Sequence, residues 1–382
     1  MSADTTLQSL VDQVQAARAA RTPLNIIGGG TKAFYGGPAH GHALDVRALQ
    51  GISSYEPSEL VVTVRAGTPL LELEAVLAEH GQCLPFEPPR FGSGSTVGGM
   101  VAAGLAGPAR VAVGGVRDYV LGATLLSGRA ELLHFGGTVM KNVAGYDVAR
   151  ALAGSLGELG VICEVSLKVL PRLPATLTLR LEADQACAIR RVNEWGGQPL
   201  PLNASAWWDG MLVLRLAGAA AAVQSARVKI GGEIIDEPLA GTFWTGLRDQ
   251  RDEFFLGAQK AVQTGATLWR LSVPATTPPL KLSGEQLLEW GGAQRWLCTS
   301  APAATLRDVA AAAGGHAVIF RGQDKRAGAF APLKAPLDRI QRELKAAFDP
   351  EGIFNPGRLL PLMTPLMAPL KTPVFEQEPP AA

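Results

Sequence analysis

The sequence predicts an α+β protein of two domains, and three observations support this prediction. The chain has 382 residues, enough for two domains that each bury a core of their own. Between residues 24 and 160, short apolar segments alternate with glycine-rich turns. After Pro174 the sequence pattern changes, and short strand patterns alternate with helix patterns. We therefore expect a glycine-rich first domain followed by an α+β domain of ferredoxin-like type.

The composition restricts the class of protein. Hydrophobic residues make up 47% of the chain, charged residues 18%, and the formal net charge is +1. This balance is typical of a globular protein and disfavours an electrostatic nucleic-acid binder. No apolar run reaches the roughly 18 residues that a membrane span needs, and the first twenty residues lack a signal-peptide core. We expect a cytoplasmic protein, and any attachment to the inner face of the cell membrane would be through partners.

The four cysteines, Cys83, Cys163, Cys187 and Cys298, are scattered along the chain without a CxxC pair. This spacing predicts reduced, buried thiols rather than disulfides or metal ligands. The chain therefore has no thiolate set for an iron–sulfur cluster of its own.

The first domain opens with a helix pattern over residues 5–20 and a short apolar strand, Leu24–Ile27. Three glycines, Thr31 and Lys32 follow this strand directly. Glycine tolerates positive φ and close backbone approach, and successive N–H groups in such a turn form an anion site. The pattern predicts a cradle for a diphosphate, although a plain glycine turn is the alternative. The candidate residues are Ile27, Gly28, Gly29, Gly30, Thr31 and Lys32.

Further strands are predicted at Ala43–Val46 and Leu60–Arg65, and Thr68 is expected to cap a helix that begins at Pro69. Two more glycine clusters follow. The first is expected to open a small-residue helix at Gly98 and Gly99, whose N-terminus favours an anion. The candidate residues of these clusters are Ser95, Thr96, Val97, Gly98, Gly99, Gly104 and Gly107. Arg117 and Asp118 are either a local salt pair or a pair near the ligand.

A β-hairpin is predicted for Val120–Leu126 and Glu131–Phe135. The polar, glycine-rich loop that follows it is of the kind that often carries function. Its candidate residues are Lys141, Asn142, Gly145 and Tyr146. A strand with alternating apolar residues then runs from Val161 to Val169.

In the second domain, Asp209-Gly210 is the strongest hairpin signal of the chain, between strands Leu202–Trp208 and Met211–Ala217. Other strands are predicted near Thr267–Val273, Arg295–Cys298 and His316–Arg321. A closing helix, Pro332–Phe348, is expected to turn Leu337, Ile340, Leu344 and Phe348 inward.

Five ordered motifs make the resemblance to a known family specific. They are Gly28-Gly-Gly-Thr31, Ser95-Thr-Val-Gly-Gly99, Arg117-Asp118 with Val120-Leu-Gly122, Lys141-Asn-Val-Ala-Gly-Tyr-Asp147 and Gly154-Ser-Leu-Gly157. Residues 24–171 resemble the FAD-binding domain of the p-cresol methylhydroxylase (PCMH) and vanillyl-alcohol oxidase family. Within this family, three longer sequence segments resemble those of the FAD-binding subunits of bacterial glycolate oxidases. They are Phe86-Glu-Pro-Pro89, Val139-Met-Lys-Asn-Val-Ala-Gly-Tyr-Asp147 and Ser166-Leu-Lys-Val-Leu-Pro171.

The resemblance implies a PCMH-type fold of two α+β subdomains with FAD between them, followed by an α+β, ferredoxin-like cap. The expected divisions are 1–173 for the FAD-binding domain, 174–330 for the cap, 331–360 for a returning helix and segment, and 361–382 for a proline-rich tail. The adenine would lie near Gly160, Val161 and Ile162. Some relatives attach the flavin to a histidine in the first turn, but no histidine lies between residues 24 and 39, so non-covalent FAD is expected.

The activity implied is oxidation of a small 2-hydroxy acid, glycolate to glyoxylate, in a complex with a second FAD-containing subunit and an iron–sulfur subunit. Because this chain lacks the histidine set of related dehydrogenases, the second FAD-containing subunit could hold the oxidising site. This chain would then be an electron relay or a structural flavin subunit. The alternatives are a self-sufficient FAD-linked dehydrogenase of D-lactate or another 2-hydroxy acid, and a flavin-fold subunit without catalysis.

The catalytic candidates are His316 and Arg321, because related 2-hydroxy-acid dehydrogenases often carry a histidine on such a strand. A strand-end histidine and a surface arginine are the alternatives, and no metal is expected because no further histidine lies nearby. Asn355 and Arg358, in the closing segment, are expected near the flavin, with turn formation and a surface position as the alternatives.

Overall fold

Two antiparallel sheets and a small parallel pair of strands carry the fold of the described chain. The computed structural model describes residues 3–138 and 147–361. The tail expected at 361–382 lies outside the described residues from 362 onward, and the domain boundaries at 173, 330 and 360 stay predictions. In the described part of the chain, no helix is both long and apolar enough to cross a bilayer.

The N-terminal layer consists of helix α1 (Ala3–Ala20) and two short parallel strands, β1 (Leu24–Ile27) and β2 (His42–Asp45). Leu10, Val14 and Leu44 are buried in its core. The closing segment of the chain completes this layer, because Phe354 forms a parallel bridge with Leu24.

The second layer is a five-stranded sheet in the order β3-β4-β8-β6-β7, in which all neighbours are antiparallel. The predicted hairpin around residue 128 is confirmed as β6 and β7. The elements of this part of the chain are β3 (Ile52–Glu56), β4 (Val61–Arg65), α2 (Leu70–Glu79), β5 (Gln82–Cys83), α3 (Val97–Ala103), α4 (Arg110–Val113), α5 (Val116–Tyr119), β6 (Val120–Leu126), β7 (Leu132–Gly136), α6 (Val148–Ala151), β8 (Val161–Lys168) and β9 (Leu170–Pro171).

Thr68 does not cap α2, contrary to the sequence prediction. The residue that precedes the helix is Pro69, which has no side-chain cap. The Thr68 hydroxyl instead accepts a hydrogen bond of 2.9 Å from the Gly51 N–H, so it ties the turn after β4 to the loop before β3.

The cap is an eight-stranded antiparallel sheet in the order β13-β10-β12-β11-β15-β16-β14-β17. Its elements are β10 (Ala175–Glu182), α7 (Gln185–Gly196), β11 (Leu202–Trp208), β12 (Met211–Gly218), α8 (Ala220–Ile230), β13 (Glu233–Ile235), α9 (Glu237–Asp249), α10 (Glu253–Gln263), β14 (Thr267–Ser272), β15 (Glu285–Glu289), β16 (Gln294–Thr299), α11 (Ala303–Ala312) and β17 (His316–Arg321). Each half has the order fourth, first, third, second strand, the ferredoxin-like order, and the halves join at β11 and β15. The predicted ferredoxin-like cap is therefore confirmed, and its strand order occurs twice, although the described residues between β14 and β15 of the second half form no helix.

The two faces of the cap sheet have different coverings. Helices α7, α8 and α11 pack on one face through residues such as Val223 and Leu306. On the other face, Trp244 of α9 and Phe255 of α10 share a core with Tyr35 and Leu105 of the first domain. This second face is where the cap meets the first domain.

The closing helix, α12, begins at Leu337 and ends at Phe348, later than the predicted start at Pro332. Leu344 and Phe348 pack against the first-domain core, as expected. Leu337 and Ile340 are 57% and 49% exposed, so the prediction that they turn inward is wrong. The reason is that the contacts of α12 with this core lie in its C-terminal half.

Candidate functional site

A cavity of about 350 Å³ lies where β1, the start of α3, the start of β8 and the closing segment meet. Half of its lining residues are glycine or alanine, so main chain forms much of the wall. Most of the predicted cofactor residues lie here, namely Ile27, Gly28, Gly29, Gly30, Thr31, Lys32, Ser95, Thr96, Gly98, Gly99, Gly160, Ile162, Asn355 and Arg358.

The first two glycine turns are in direct contact. A Cβ on Gly29 would lie 1.4 Å from the carbonyl oxygen of Gly94, and one on Gly28 would lie 2.6 Å from Thr96 Oγ1. Each position therefore requires glycine for packing. Gly30 has a φ of +69° and nothing within 4 Å of its Cβ position, so there the requirement is conformational. The turns form one continuous wall.

The turn at 28–32 offers unused hydrogen-bond donors. Within residues 3–138 and 147–361, the backbone N–H groups of Gly28 to Lys32 donate to no protein acceptor. The turn itself is closed by Ala33 N–H to Gly30 O at 3.0 Å and Tyr35 N–H to Lys32 O at 3.0 Å. Consecutive free N–H groups on a cavity wall are a site for an anion.

Lys32 adds a positive charge to this wall. Its Nζ donates to Ser95 Oγ at 2.8 Å and to Arg90 O at 3.4 Å. Burial lowers the pKa of Lys32 to about 8, and the more distant Asp249 only partly opposes this. Among the described residues it has no carboxylate at ion-pair distance, so an anion bound in the cavity would supply the missing counter-charge.

The start of α3 contributes less than the sequence suggests. The helix begins at Val97, capped by Thr96, whose Oγ1 accepts from Gly99 N–H at 3.3 Å. The N–H groups of Val97 and Gly98 donate to Thr68 O and Ala66 O at 3.0 and 2.8 Å. These donors are therefore used within the protein, and the prediction that this helix start attracts the anion is not supported by its hydrogen bonding.

Asn355 and Arg358 line the cavity, but their polar atoms form hydrogen bonds with backbone groups of the protein. Asn355 accepts from Ile26 N–H at 2.8 Å and donates to Leu156 O at 2.6 Å. Arg358 donates to Ala33 O, Gly37 O and Tyr35 O at 3.1, 2.5 and 2.6 Å. The closing segment therefore fastens β1 and the turn after it.

Several predicted cofactor residues lie away from the cavity. Val97 and Val161 are buried in cores, and Gly104 ends α3 with a φ of +62°. Gly107 packs against Glu87, where a Cβ would meet the Glu87 carbonyl oxygen at 2.5 Å.

The Arg117 and Asp118 pair belongs to the short helix α5, outside the cavity lining. The Asp118 carboxylate accepts from Gly115 N–H at 2.8 Å, which supports a local structural role. Lys141, Asn142, Gly145 and Tyr146 lie outside the described residues.

Neither catalytic candidate lines the cavity. His316 is exposed at the first position of β17, opposite Ser272. Arg321 ends the same strand, donates to Gln250 Oε1 at 3.0 Å and lies 3.5 Å from the Phe34 ring centroid. Burial lowers the pKa of Arg321 to about 10. The structure therefore does not bring these two residues together with the cavity.

The predicted cofactor residues did not include other residues of the lining, although one of these, Gly157, belongs to the fifth family motif. The most informative are Ala66, Ala102, Ala103 and Gly157. Gly157 has a φ of +75° and leaves room for the Asn355 amide, 2.6 Å from its Cβ position. The available signal was small side chains directly after β4, at the end of α3 and before β8.

A second, small cavity of about 20 Å³ lies between the cap sheet and the segment 89–108. Glu289 lines it, accepting from Trp296 Nε1 at 2.6 Å and Gln294 Nε2 at 2.9 Å. Burial raises the pKa of Glu289 to about 7, despite the lowering effect of these two bonds. It is therefore a carboxyl group that titrates near neutrality in the contact between cap and first domain.

Comparison with known proteins assigns the family. Residues 4–149 match a family model described as an FAD binding domain. The chain is 48% identical over 352 residues to glycolate oxidase subunit GlcE of Escherichia coli K12, covering 92% of this chain and 97% of that protein. The chain belongs to the GlcE family of glycolate oxidase subunits. The predicted cofactor, FAD, and the predicted oxidoreductase class are confirmed by this membership in the GlcE family.

Two matches to proteins outside the GlcE family cover shorter parts of the chain. D-lactate dehydrogenase [cytochrome] of Arabidopsis thaliana is 31% identical over 132 residues, or 35% of this chain and 23% of that protein. Glycolate oxidase subunit GlcD of Bacillus subtilis is 30% identical over 139 residues, covering 36% and 29%.

The fold extends further than these shorter sequence matches. A solved alkyldihydroxyacetonephosphate synthase aligns with a TM-score of 0.62 at 15% identity, over 92% of this chain and 76% of that one. This similarity confirms that the fold covers both the FAD-binding half and the cap.

The cavity fits FAD on its own chemistry. A dinucleotide needs a wall that main chain can approach closely, donors for two phosphates and a counter-charge. The glycine turn, its free N–H groups and Lys32 provide these three features.

Proposed function

We propose that this chain is the FAD-binding subunit of a glycolate oxidase complex that converts glycolate to glyoxylate. The observation that carries the proposal is the glycine turn at 28–32, which lines the cavity with Lys32 and whose N–H groups have no acceptor within the described residues. The family membership supports the choice of reaction, since its member from Escherichia coli is named a glycolate oxidase subunit.

In this proposal the diphosphate lies on Gly28 to Lys32, and the adenine lies near Gly160 and Ile162, which line the same cavity. FAD is held non-covalently. Among the described residues that line the cavity there is no histidine, cysteine or tyrosine, so that part of the chain offers no side chain of the usual flavin-linking kind.

Oxidation of glycolate requires that the hydroxyl proton leaves to a base while the carbon loses a hydride equivalent. Bound FAD supplies the acceptor of that hydride equivalent. The described residues of the cavity lining include no histidine, aspartate or glutamate that could take the proton. This composition favours a complex in which a second FAD-containing subunit holds the oxidising site.

This chain would then relay electrons towards an iron–sulfur subunit. The complex would act in the cytoplasm, at the inner face of the cell membrane if its partners attach it there. His316 and Arg321 stay candidates for a catalytic role only if the cap moves relative to the cavity.

The second candidate function is a self-sufficient dehydrogenase of D-lactate or another 2-hydroxy acid. The match to a D-lactate dehydrogenase favours it, although that match spans about a third of this chain. The two candidates differ in whether the chain alone reduces its flavin with substrate.

The test has two steps. A spectrum of the freshly purified chain should show flavin bands, and acid precipitation should release the flavin into the supernatant. Anaerobic mixing with glycolate should then bleach the flavin rapidly only when the partner subunits are present. A colourless chain would refute FAD binding, flavin in the precipitate would refute non-covalent attachment, and rapid bleaching of the isolated chain by D-lactate would favour the second candidate.

A further inference from the structure

The turn at residues 33–37, directly after the glycine cradle, is held by two cations from distant parts of the chain. Arg358 donates to the carbonyl oxygens of Ala33, Tyr35 and Gly37 at 3.1, 2.6 and 2.5 Å. Lys325 donates to the two remaining ones, Phe34 O and Gly36 O, the latter at 2.7 Å. Every carbonyl oxygen of the turn therefore receives a charged donor.

These cations have no carboxylate partner within the described residues at ion-pair distance. The charged groups around Lys325 are Arg358 and Arg321, both cations, and Asp324, which is paired with Arg326 at 2.7 Å. Burial, together with the nearby positive charges of Arg358 and Arg321, lowers the pKa of Lys325 to about 8. Holding such charges here costs free energy that the turn carbonyls offset.

The orientation of this turn fixes the orientation of the cradle before it. With the carbonyl groups of 33–37 drawn towards Lys325 and Arg358, Ala33 and Tyr35 point their N–H groups back to Gly30 O and Lys32 O. Residues 28–32 line the cavity, and their N–H groups have no acceptor within the described residues. Arg270 adds a further tie from the cap, donating to the Tyr35 hydroxyl at 2.9 Å.

We propose that Lys325 is a positioning residue for the diphosphate cradle, through which the seating of the cap and the binding of the dinucleotide are coupled. Lys325 lies after β17, outside the cavity lining, so it acts on the ligand through the turn and not by contact. Coupling of this kind is reciprocal, and a bound dinucleotide would in turn hold the cap loop in place. The inference rests on the proposed position of the diphosphate at residues 28–32.

The test compares the binding of ADP and adenosine, which share the purine and differ in the diphosphate. Lys325→Met should weaken ADP binding by about tenfold or more and leave adenosine binding within about twofold. Arg326→Met is the matched control, because Arg326 is the next residue along the chain, its side chain is 92% exposed, and it pairs with Asp324 and not with the turn. Bound ADP should slow hydrogen exchange in residues 322–330 of the wild-type chain and have little effect there in the Lys325→Met chain.

ADP binding by Lys325→Met within about twofold of the wild type would overturn the inference while leaving the proposed function intact. Failure of the wild-type chain to bind either ADP or FAD would instead refute the proposed function. If the Lys325→Met chain does not fold, Lys325→Arg replaces it in a pH titration.

Arginine keeps its charge above pH 8, where Lys325 loses its proton. The affinity of the wild-type chain for ADP should therefore fall more steeply between pH 7 and pH 9 than the affinity of Lys325→Arg. Lys32 also loses its proton in this range, but it does so in both chains. Parallel pH profiles would overturn the inference.

Discussion

At the scale of single residues, the site depends on positions where a side chain is excluded. Gly29 is the clearest, because its backbone lies against that of Gly94 and joins the two turns that wall the cavity. The sequence identified Gly29 as a cradle residue through the freedom of glycine, whereas the structure shows that close packing is the stronger reason.

Replacing Gly29 with alanine should separate the two turns, because the new methyl group would lie 1.4 Å from Gly94 O. We expect a loss of about 1–3 kcal/mol in the free energy of unfolding and loss of most bound flavin. Flavin absorbance per chain and urea unfolding measure the two effects. Gly241→Ala, in the exposed middle of α9 with nothing within 4 Å, is the control and should retain flavin. Normal flavin content in Gly29→Ala would contradict this account.

Glu289 predicts a specific dependence of stability on pH. Its pKa is raised from the ordinary value of 4.5 to about 7. Between these two pH values, the Glu289 carboxyl group is protonated in the folded chain and ionised in the unfolded chain. The resulting stabilisation is complete below pH 4.5 and is lost as the pH rises through 7. Glu289→Gln, which imitates the protonated acid, should therefore be more stable than the wild type at pH 8 by about 1–3 kcal/mol.

The measurement is urea unfolding at pH 5 and pH 8 for the wild type, Glu289→Gln and the exposed control Glu131→Gln. The difference between wild type and Glu289→Gln should widen at pH 8, while Glu131→Gln should follow the wild type. An equal difference at both pH values would show that folding does not raise the pKa of Glu289.

At the scale of elements, α12 shows how far an amphipathic pattern can be trusted. The pattern correctly places Leu337, Ile340, Leu344 and Phe348 on one face, but only part of that face has a partner among the described residues. Periodicity specifies which side chains share a face of a helix, and it does not specify how much of the helix reaches the core.

This difference can be tested with two truncations on the same helix. Leu344→Ala should lower the free energy of unfolding by about 1–2 kcal/mol, because Leu344 packs against the first-domain core. Ile340→Ala should lower it by less than about 0.5 kcal/mol, because Ile340 is 49% exposed. Urea unfolding of both variants measures this, and equal losses would indicate that Ile340 is covered in solution.

Local turn chemistry was the most reliable guide to the elements. Asp209 and Gly210, with φ values of +46° and +77°, join β11 and β12 as predicted. The strands β13 and β15 and the helices α9 and α10 were not predicted. Their burial depends on neighbours such as Trp296 and Phe320, which are distant in sequence. Thr68 was misread for a similar reason, since its partner Gly51 belongs to another loop.

At the scale of the whole molecule, the site is completed by both ends of the described chain. A variant that ends at Pro361 keeps Asn355, Arg358 and the bridge between Phe354 and Leu24. A variant that ends at Gly352 loses all three. We expect the longer variant to retain flavin and the shorter one to lose it, as measured by absorbance and by thermal unfolding. Equal flavin content in the two variants would refute a role for the closing segment.

The cradle itself could be predicted from sequence because its residues are contiguous and its chemistry is local. The roles of Asn355, Arg358 and Lys325 could not be predicted, because their partners are backbone carbonyl and N–H groups at residues 26–37 and 156. A sequence motif identifies the side chains within it. It does not identify the distant side chains that form hydrogen bonds with its backbone.

The pairing of Phe354 with Leu24 has a consequence for biosynthesis. Translation proceeds from the N-terminus, so the glycine turn emerges from the ribosome long before the segment that fastens it. A nascent chain that still lacks residues 354–358 has an unfinished pocket, and stable loading with flavin must wait until these residues have left the exit tunnel.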